Sequence, residues 1–131
     1  MPDLDWLQKD DDLIHQIYVT MRLFTKNLNE IITPYEVYSS EWTIINYLHH
    51  HDEISQADLA AALQIEAAAV SKTIGKMEKK GLVTRLSAKD KREKHISMTP
   101  KCRALFPQLA ASVARQRQQS LAGISEQTRQ D

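Results

Sequence analysis

Six apolar residues, Ile14, Ile17, Met21, Phe24, Leu28 and Ile31, recur at alternating steps of three and four. At the helical turn of about 100° per residue, that spacing stacks them into one a/d seam, so residues 11–32 are expected to form a helix. Such a seam is stable only when another helix lies lengthwise against it, which makes this first of all a helix-packing chain. Thr33-Pro34 ends the helix, because the residue before a proline is pushed out of the α region. Three Gly and four Pro leave little material for a loop-rich or all-β fold. With 42% apolar and 26% charged residues, the 131-residue chain can bury one real core. Residues 1–131 are therefore read as a single unit.

The rest of the chain continues in helical punctuation. A second helix is expected from Ser40, an N-cap candidate, to His50, with Trp42, Ile45 and Leu48 inward and Asp52-Glu53 as the following turn. Ser55-Gln56-Ala57-Asp58 has the S-x-x-D form of a capped helix start, opening a short helix over 55–63. After the tight connection Gln64-Ile65, a longer helix runs from Glu66 to Lys80 and stops at Gly81. A short helix, a tight turn and a longer helix make the helix-turn-helix arrangement. Residues 82–86 and 94–98 alternate enough to be strands on either side of a charged loop, forming a hairpin. Thr99 then caps a helix with Pro100 at its first position and Cys102, Phe106, Leu109 and Val113 on one face. That helix should kink at Pro107 and reach about Leu121, before Gly123.

Net charge is zero, but its distribution is uneven: −9 over residues 1–66, +8 over 67–103 and +1 over 104–131. A basic block inside an acidic chain is the footprint of a polyanionic partner. Within the 66–80 helix, Val70, Ile74 and Met77 share a narrow core-facing arc, and Ala68, Lys72, Gly75 and Lys79 lie opposite, flanked by Ser71 and Lys76. A mid-helix Gly costs roughly 1 kcal/mol relative to Ala, and small residues beside lysines suit close approach to a phosphate backbone. The alternative is an ordinary lysine-rich solvent face. On the nucleic-acid reading, Ser71 and Lys72 reach base edges in the major groove, and Lys76 and Lys79 touch phosphates. Gln56, at the start of the shorter helix, and Ala68 join this surface. Lys89, Lys91 and Arg92 sit at the hairpin tip, where a basic projection enters the minor groove. Asp90 is placed to clamp the Arg92 guanidinium, and His95 is expected to face phosphate or solvent.

The segments GLVTR (81–85), Asp90-Lys91-Arg92 and Met98-Thr99 before a long helix resemble the MarR family of winged helix-turn-helix transcriptional regulators. Trp42, Ala57-Asp58-Leu59-Ala60 and Val70-Ser71-Lys72 extend the match over about residues 11–123. The resemblance implies a mainly α fold with about six helices and a two- to three-stranded β-wing. It also implies a winged part over 38–98 and dimerisation helices at 11–32 and 99–131. It implies, further, a sequence-specific regulator, a repressor, that binds a pseudopalindromic operator in double-stranded DNA as a homodimer, with release by a small aromatic ligand or by oxidation. The family pattern departs from this chain in having Gly at Cys102 and a longer last helix than residues 124–131 permit.

Several side readings stand beside this one. Cys102, near a helix start between Lys101 and Arg103, is either a redox sensor or a buried structural residue. Three consecutive residues of a helix, His49-His50-His51, point in three directions and cannot converge on one ion without other ligands; Asp52, Glu53 or His15 are the candidates to complete such a site, but no metal or other cofactor is expected. His15, Tyr38 and Trp42 are the candidate lining of an aromatic-ligand pocket, the place the family resemblance implies between the dimerisation and DNA-binding parts. No phosphate-binding loop, dinucleotide fingerprint, metalloprotease motif or nucleophile elbow occurs, so no enzyme is expected. One cysteine, an acidic N-terminal stretch unlike a signal peptide and no membrane-length apolar run suggest a cytoplasmic protein. Two other functions remain open: a winged-helix module that docks acidic protein surfaces, and a ligand or metal sensor that binds no DNA.

Overall fold

The periodicities become five α-helices and one three-stranded sheet in a computed structural model, which describes residues 4–87, 94–123 and 125. Helix α1, Asp5–Ile32, starts six residues before the expected position. Its seam divides in two. Leu28 and Ile32 are buried and Ile31 packs on the core, whereas Ile14, Ile17 and Met21 are 51, 51 and 55% exposed. Among the described residues only the C-terminal part of the seam is covered by the protomer itself.

A 3₁₀ turn over Thr33–Tyr35 leads to α2, Ser39–His50. Ser40 is not its cap. The Glu41 carboxylate instead accepts from the Tyr38 N–H at 2.9 Å, and Asn29 Oδ1 of α1 accepts from the Ser39 N–H at 2.7 Å. A partner in another helix thus moved the helix start by one residue. Ser55 does cap α3, Gln56–Leu63, its Oγ accepting from the Asp58 N–H at 3.0 Å. Helix α4, Ala67–Lys79, ends in a Schellman turn: the Leu82 N–H bonds Met77 O at 2.9 Å, and the Gly81 N–H bonds Glu78 O at 3.0 Å. Gly81 takes φ +77°, which a side chain would strain.

Strands β2, Val83–Ser87, and β3, Lys94–Met98, pair antiparallel from Val83↔Met98 to Ser87↔Lys94, as the expected hairpin requires. Glu53 belongs to no turn. It begins β1, Glu53–Ser55, which pairs with β3 through Ile54↔Ile96 and gives the sheet order β1-β3-β2. Three residues carry no strand signature of their own; the partner strand makes them one.

Helix α5, Pro100–Ser120, starts at Thr99, whose Oγ1 accepts from the Cys102 N–H at 3.2 Å, and runs on past Pro107. Its inner face buries Cys102, Leu109 and Val113, half-buries Phe106 and packs along α1. Ser112 and Gln116 are also buried there, and the Tyr35 hydroxyl lies 3.2 Å from Ser112 Oγ. The core then joins Ile32, Val37, Ile45, Leu59, Ile74, Met77 and Ile96, each fully buried. Most of the expected sixth-helix region, 124 and 126–131, lies outside the described residues.

Candidate nucleic-acid interface

Helix α4 is held by one side. Val70, Ile74 and Met77 seat in the core, leaving Ala68, Lys72, Lys76 and Lys79 exposed on the other side. Among the described residues no carboxylate forms an ion pair with Lys72, Lys76 or Lys79. A Cβ added at Gly75 would meet nothing within 4 Å, so packing inside the protomer does not demand glycine there. The free positive charge and the open backbone therefore lie on one outward face.

One expected contact residue has a protein partner, and another is anchored through its backbone. Gln56 Oε1 accepts from Arg85 Nε at 3.0 Å, and the Ser71 carbonyl accepts from Arg85 Nη2 at 2.9 Å, with Ser71 Oγ 3.5 Å away. The Gln56 side chain is thus engaged at the junction of α3, α4 and β2, whereas Ser71 is held there through its backbone, its half-buried hydroxyl making only that marginal contact. Arg85 was not among the sequence candidates. Its signal was period two: it shares the inward face of β2 with Val83, and a charged residue on a core face needs partners.

A second polar anchor joins α2 to the C-terminal end of α4. Glu41, 2% exposed, receives the Lys80 ammonium at 2.7 Å. Lys80 also lies 4.6 Å from the centre of the Tyr38 ring and donates to Glu36 O at 3.1 Å. Beside this pair, Tyr38, Thr73, Lys76 and Lys79 line a cleft of about 620 Å³.

Lys89, Asp90, Lys91 and Arg92 lie outside the described residues. His95 has a protein partner, contrary to the expectation for it: its Nδ1 is 3.0 Å from Glu53 Oε1, tying β3 to β1.

Of the three pocket candidates, Tyr38 lines the cleft just described, whose lining includes neither His15 nor Trp42. His15 is exposed, roughly 25 Å of helix from the end of α1. Trp42 is buried with its ring 5.8 Å from Phe106, and Tyr38 lies 55% exposed at the cleft just described. Cys102 is fully buried and burial pushes its thiol up to about 11. Lys101, expected to lower it, donates instead to Lys80 O at 2.8 Å. The redox reading is corrected accordingly, since a thiol that is protonated and enclosed is a poor nucleophile. Among the described residues no three His, Cys, Asp or Glu side chains gather around a metal position. His49 stacks on Phe106 at 3.9 Å and His51 on Tyr47 at 4.1 Å. No helix among the described residues is long and apolar enough to cross a membrane.

Residues 38–93 match the MarR family model. The chain is 30% identical over 118 residues to YwoH of Bacillus subtilis (strain 168), an uncharacterized HTH-type transcriptional regulator, covering 90% of this chain and 86% of the relative. The fold superposes with a TM-score of 0.80 on a mutant MarR from E. coli complexed with operator DNA. That pair is 18% identical, over 98% of this chain and 91% of the other. A MarR transcriptional regulator from Methanosarcina mazei Go1 gives 0.81 at 22% identity, over 92 and 88%.

Proposed function

This chain belongs to the MarR family of helix-turn-helix transcriptional regulators, and from that premise we propose that it binds double-stranded DNA at a pseudopalindromic operator as a homodimer, in the cytoplasm, acting as a repressor. One observation carries the reading: α4 turns outward a row of lysines with no ion-pair partner among the described residues, while its opposite face is locked into the core. A helix held this way enters the major groove as a rigid body. Ala68 allows close approach, Lys72 lies nearest the bases, and Lys76 and Lys79 neutralise phosphates. The sequence assigns Arg92, outside the described residues, to the adjacent minor groove, with Asp90 as the residue that would orient it. The uncovered half of the α1 seam supports a second copy packing there, which spaces two α4 helices for two half-sites. A small aromatic ligand in the cleft beside Tyr38 would compete with DNA for Lys76 and Lys79.

Fluorescence anisotropy with DNA from upstream of the protein's own gene tests this. Affinity should fall steeply as salt rises, because each neutralised phosphate releases counterions. Lys76→Ala should weaken binding about equally on all sequences and flatten the salt slope by about one unit. Binding that ignores salt, or none at all, refutes the reading. Sedimentation at micromolar concentration should give a dimer.

A further inference from the structure

The strand leading into the wing carries a guanidinium on which three elements converge. Arg85 Nε donates to Gln56 Oε1 at 3.0 Å in the first turn of α3, and Nη2 donates to the Ser71 carbonyl at 2.9 Å in the second turn of α4. Nη1 stands 3.7 Å from Glu78 Oε1 in the last turn of α4. The side chain is 27% exposed, so water competes only partly for these donors. A guanidinium holds its five N–H groups in one plane, and satisfying three directions at once fixes that plane. Because Arg85 belongs to β2, the same plane fixes the wing strand against α3 and α4.

We propose that Arg85 is a positioning residue that sets the angle between the recognition helix α4 and the wing, and that discrimination between DNA sequences depends on it. The inference rests on the DNA-binding reading above. The exposed first turns of α4 have packing on one side only, so a small rotation carries Ala68 and Lys72 away from the base edges they face. Base contacts fail with displacements of that size, since base-edge donors and acceptors are fixed in place and a hydrogen bond weakens steeply with distance and angle. Phosphate contacts through flexible lysines follow the backbone and survive it. Arg85 therefore governs specific affinity without adding to the electrostatic part. A lysine cannot replace it, having a point charge in place of a fork.

The test compares two duplexes: one enriched from a random pool by the wild-type protein, and the same duplex scrambled. Arg85→Ala and Arg85→Lys should each lose about tenfold or more on the enriched duplex, the size of one lost base contact. On the scrambled duplex both should stay within about twofold of wild type, with an unchanged salt slope. Equal losses on both duplexes would mean a merely structural role, and a slope flattened by about one unit would mean a phosphate contact; either overturns the proposal. Unchanged affinities overturn it as well. Should Arg85→Ala not fold, Gln56→Ala, which deletes one acceptor, must show the same selective loss at smaller size. If the wild-type protein enriches no sequence and binds neither duplex, the DNA-binding reading itself fails, a result separate from any behaviour of the Arg85 variants.

Discussion

Replacing Lys80 by Met would strand the Glu41 carboxylate inside the protein. Glu41 is 2% exposed, and its Oε1 accepts from Lys80 Nζ at 2.7 Å and from the Tyr38 N–H at 2.9 Å. Its Oε2 has no hydrogen-bond partner among the described residues. Removing one member of a buried pair costs about 3–5 kcal/mol, because the remaining charge stays uncompensated. Lys80 keeps 30% of its side-chain surface in water, which screens part of the attraction. The lower figure of about 2–3 kcal/mol is therefore expected, a fall in Tm of roughly 7–11 °C for a chain of this length. Glu41→Gln should cost only about 1 kcal/mol, since the amide oxygen still accepts from both donors and no charge is left unpaired. The double variant should then be more stable than Lys80→Met alone, because the second substitution removes the stranded charge. Urea denaturation at fixed protein concentration measures all three, provided m is unchanged. A cost below about 0.5 kcal/mol for Lys80→Met would show the carboxylate to be solvated and sink the reasoning.

Three further outcomes follow from the same geometry. Gly75→Ala should stabilise the fold by about 0.5–1 kcal/mol, since the added Cβ meets nothing within 4 Å, and should weaken DNA binding if the backbone lies against phosphate. Calorimetry and anisotropy on one sample separate the two effects. The buried Cys102 thiol should resist thiol reagents at neutral pH until the protein is unfolded. With its folded value raised from 9.0 to about 11, its contribution to stability is complete below pH 9 and lost as pH rises towards 11, which an alkaline denaturation series against Cys102→Ala would show. Met21→Lys places a charge on the uncovered face of α1 and should yield monomers in sedimentation without lowering helix content. A variant that stays dimeric would remove α1 from the interface.

Features set by near neighbours were legible in the chain. The Ser55 and Thr99 caps each need an oxygen three residues before an N–H, and both occur as read. The inner arc of α4 needs only helical period, and Val70, Ile74 and Met77 fill it. Misreadings arose where a partner came from elsewhere. Asn29 of α1 helped move the start of α2 off Ser40, and β3 turned Glu53 from a turn residue into a strand residue. The clearest case is Gln56, read as an exposed contact but 29 residues from the arginine that occupies it.

The sequence by itself determined the helix-turn-helix order, the hairpin, the basic face of α4 and the family. All of these depend on residue type and on spacing within a few turns. Tertiary structure alone decided which charges are free and which are spent. Lys76 and Lys79 stay in solvent while Lys80, the next residue, is drawn 39 positions back to Glu41. It also decided that Cys102 is buried with its thiol pushed up, although its chain neighbours Lys101 and Arg103 suggested a reactive thiol. The physical reason is the same in each case. A donor's partner and a group's exposure to water belong to the place where distant segments meet, and no local pattern encodes that place.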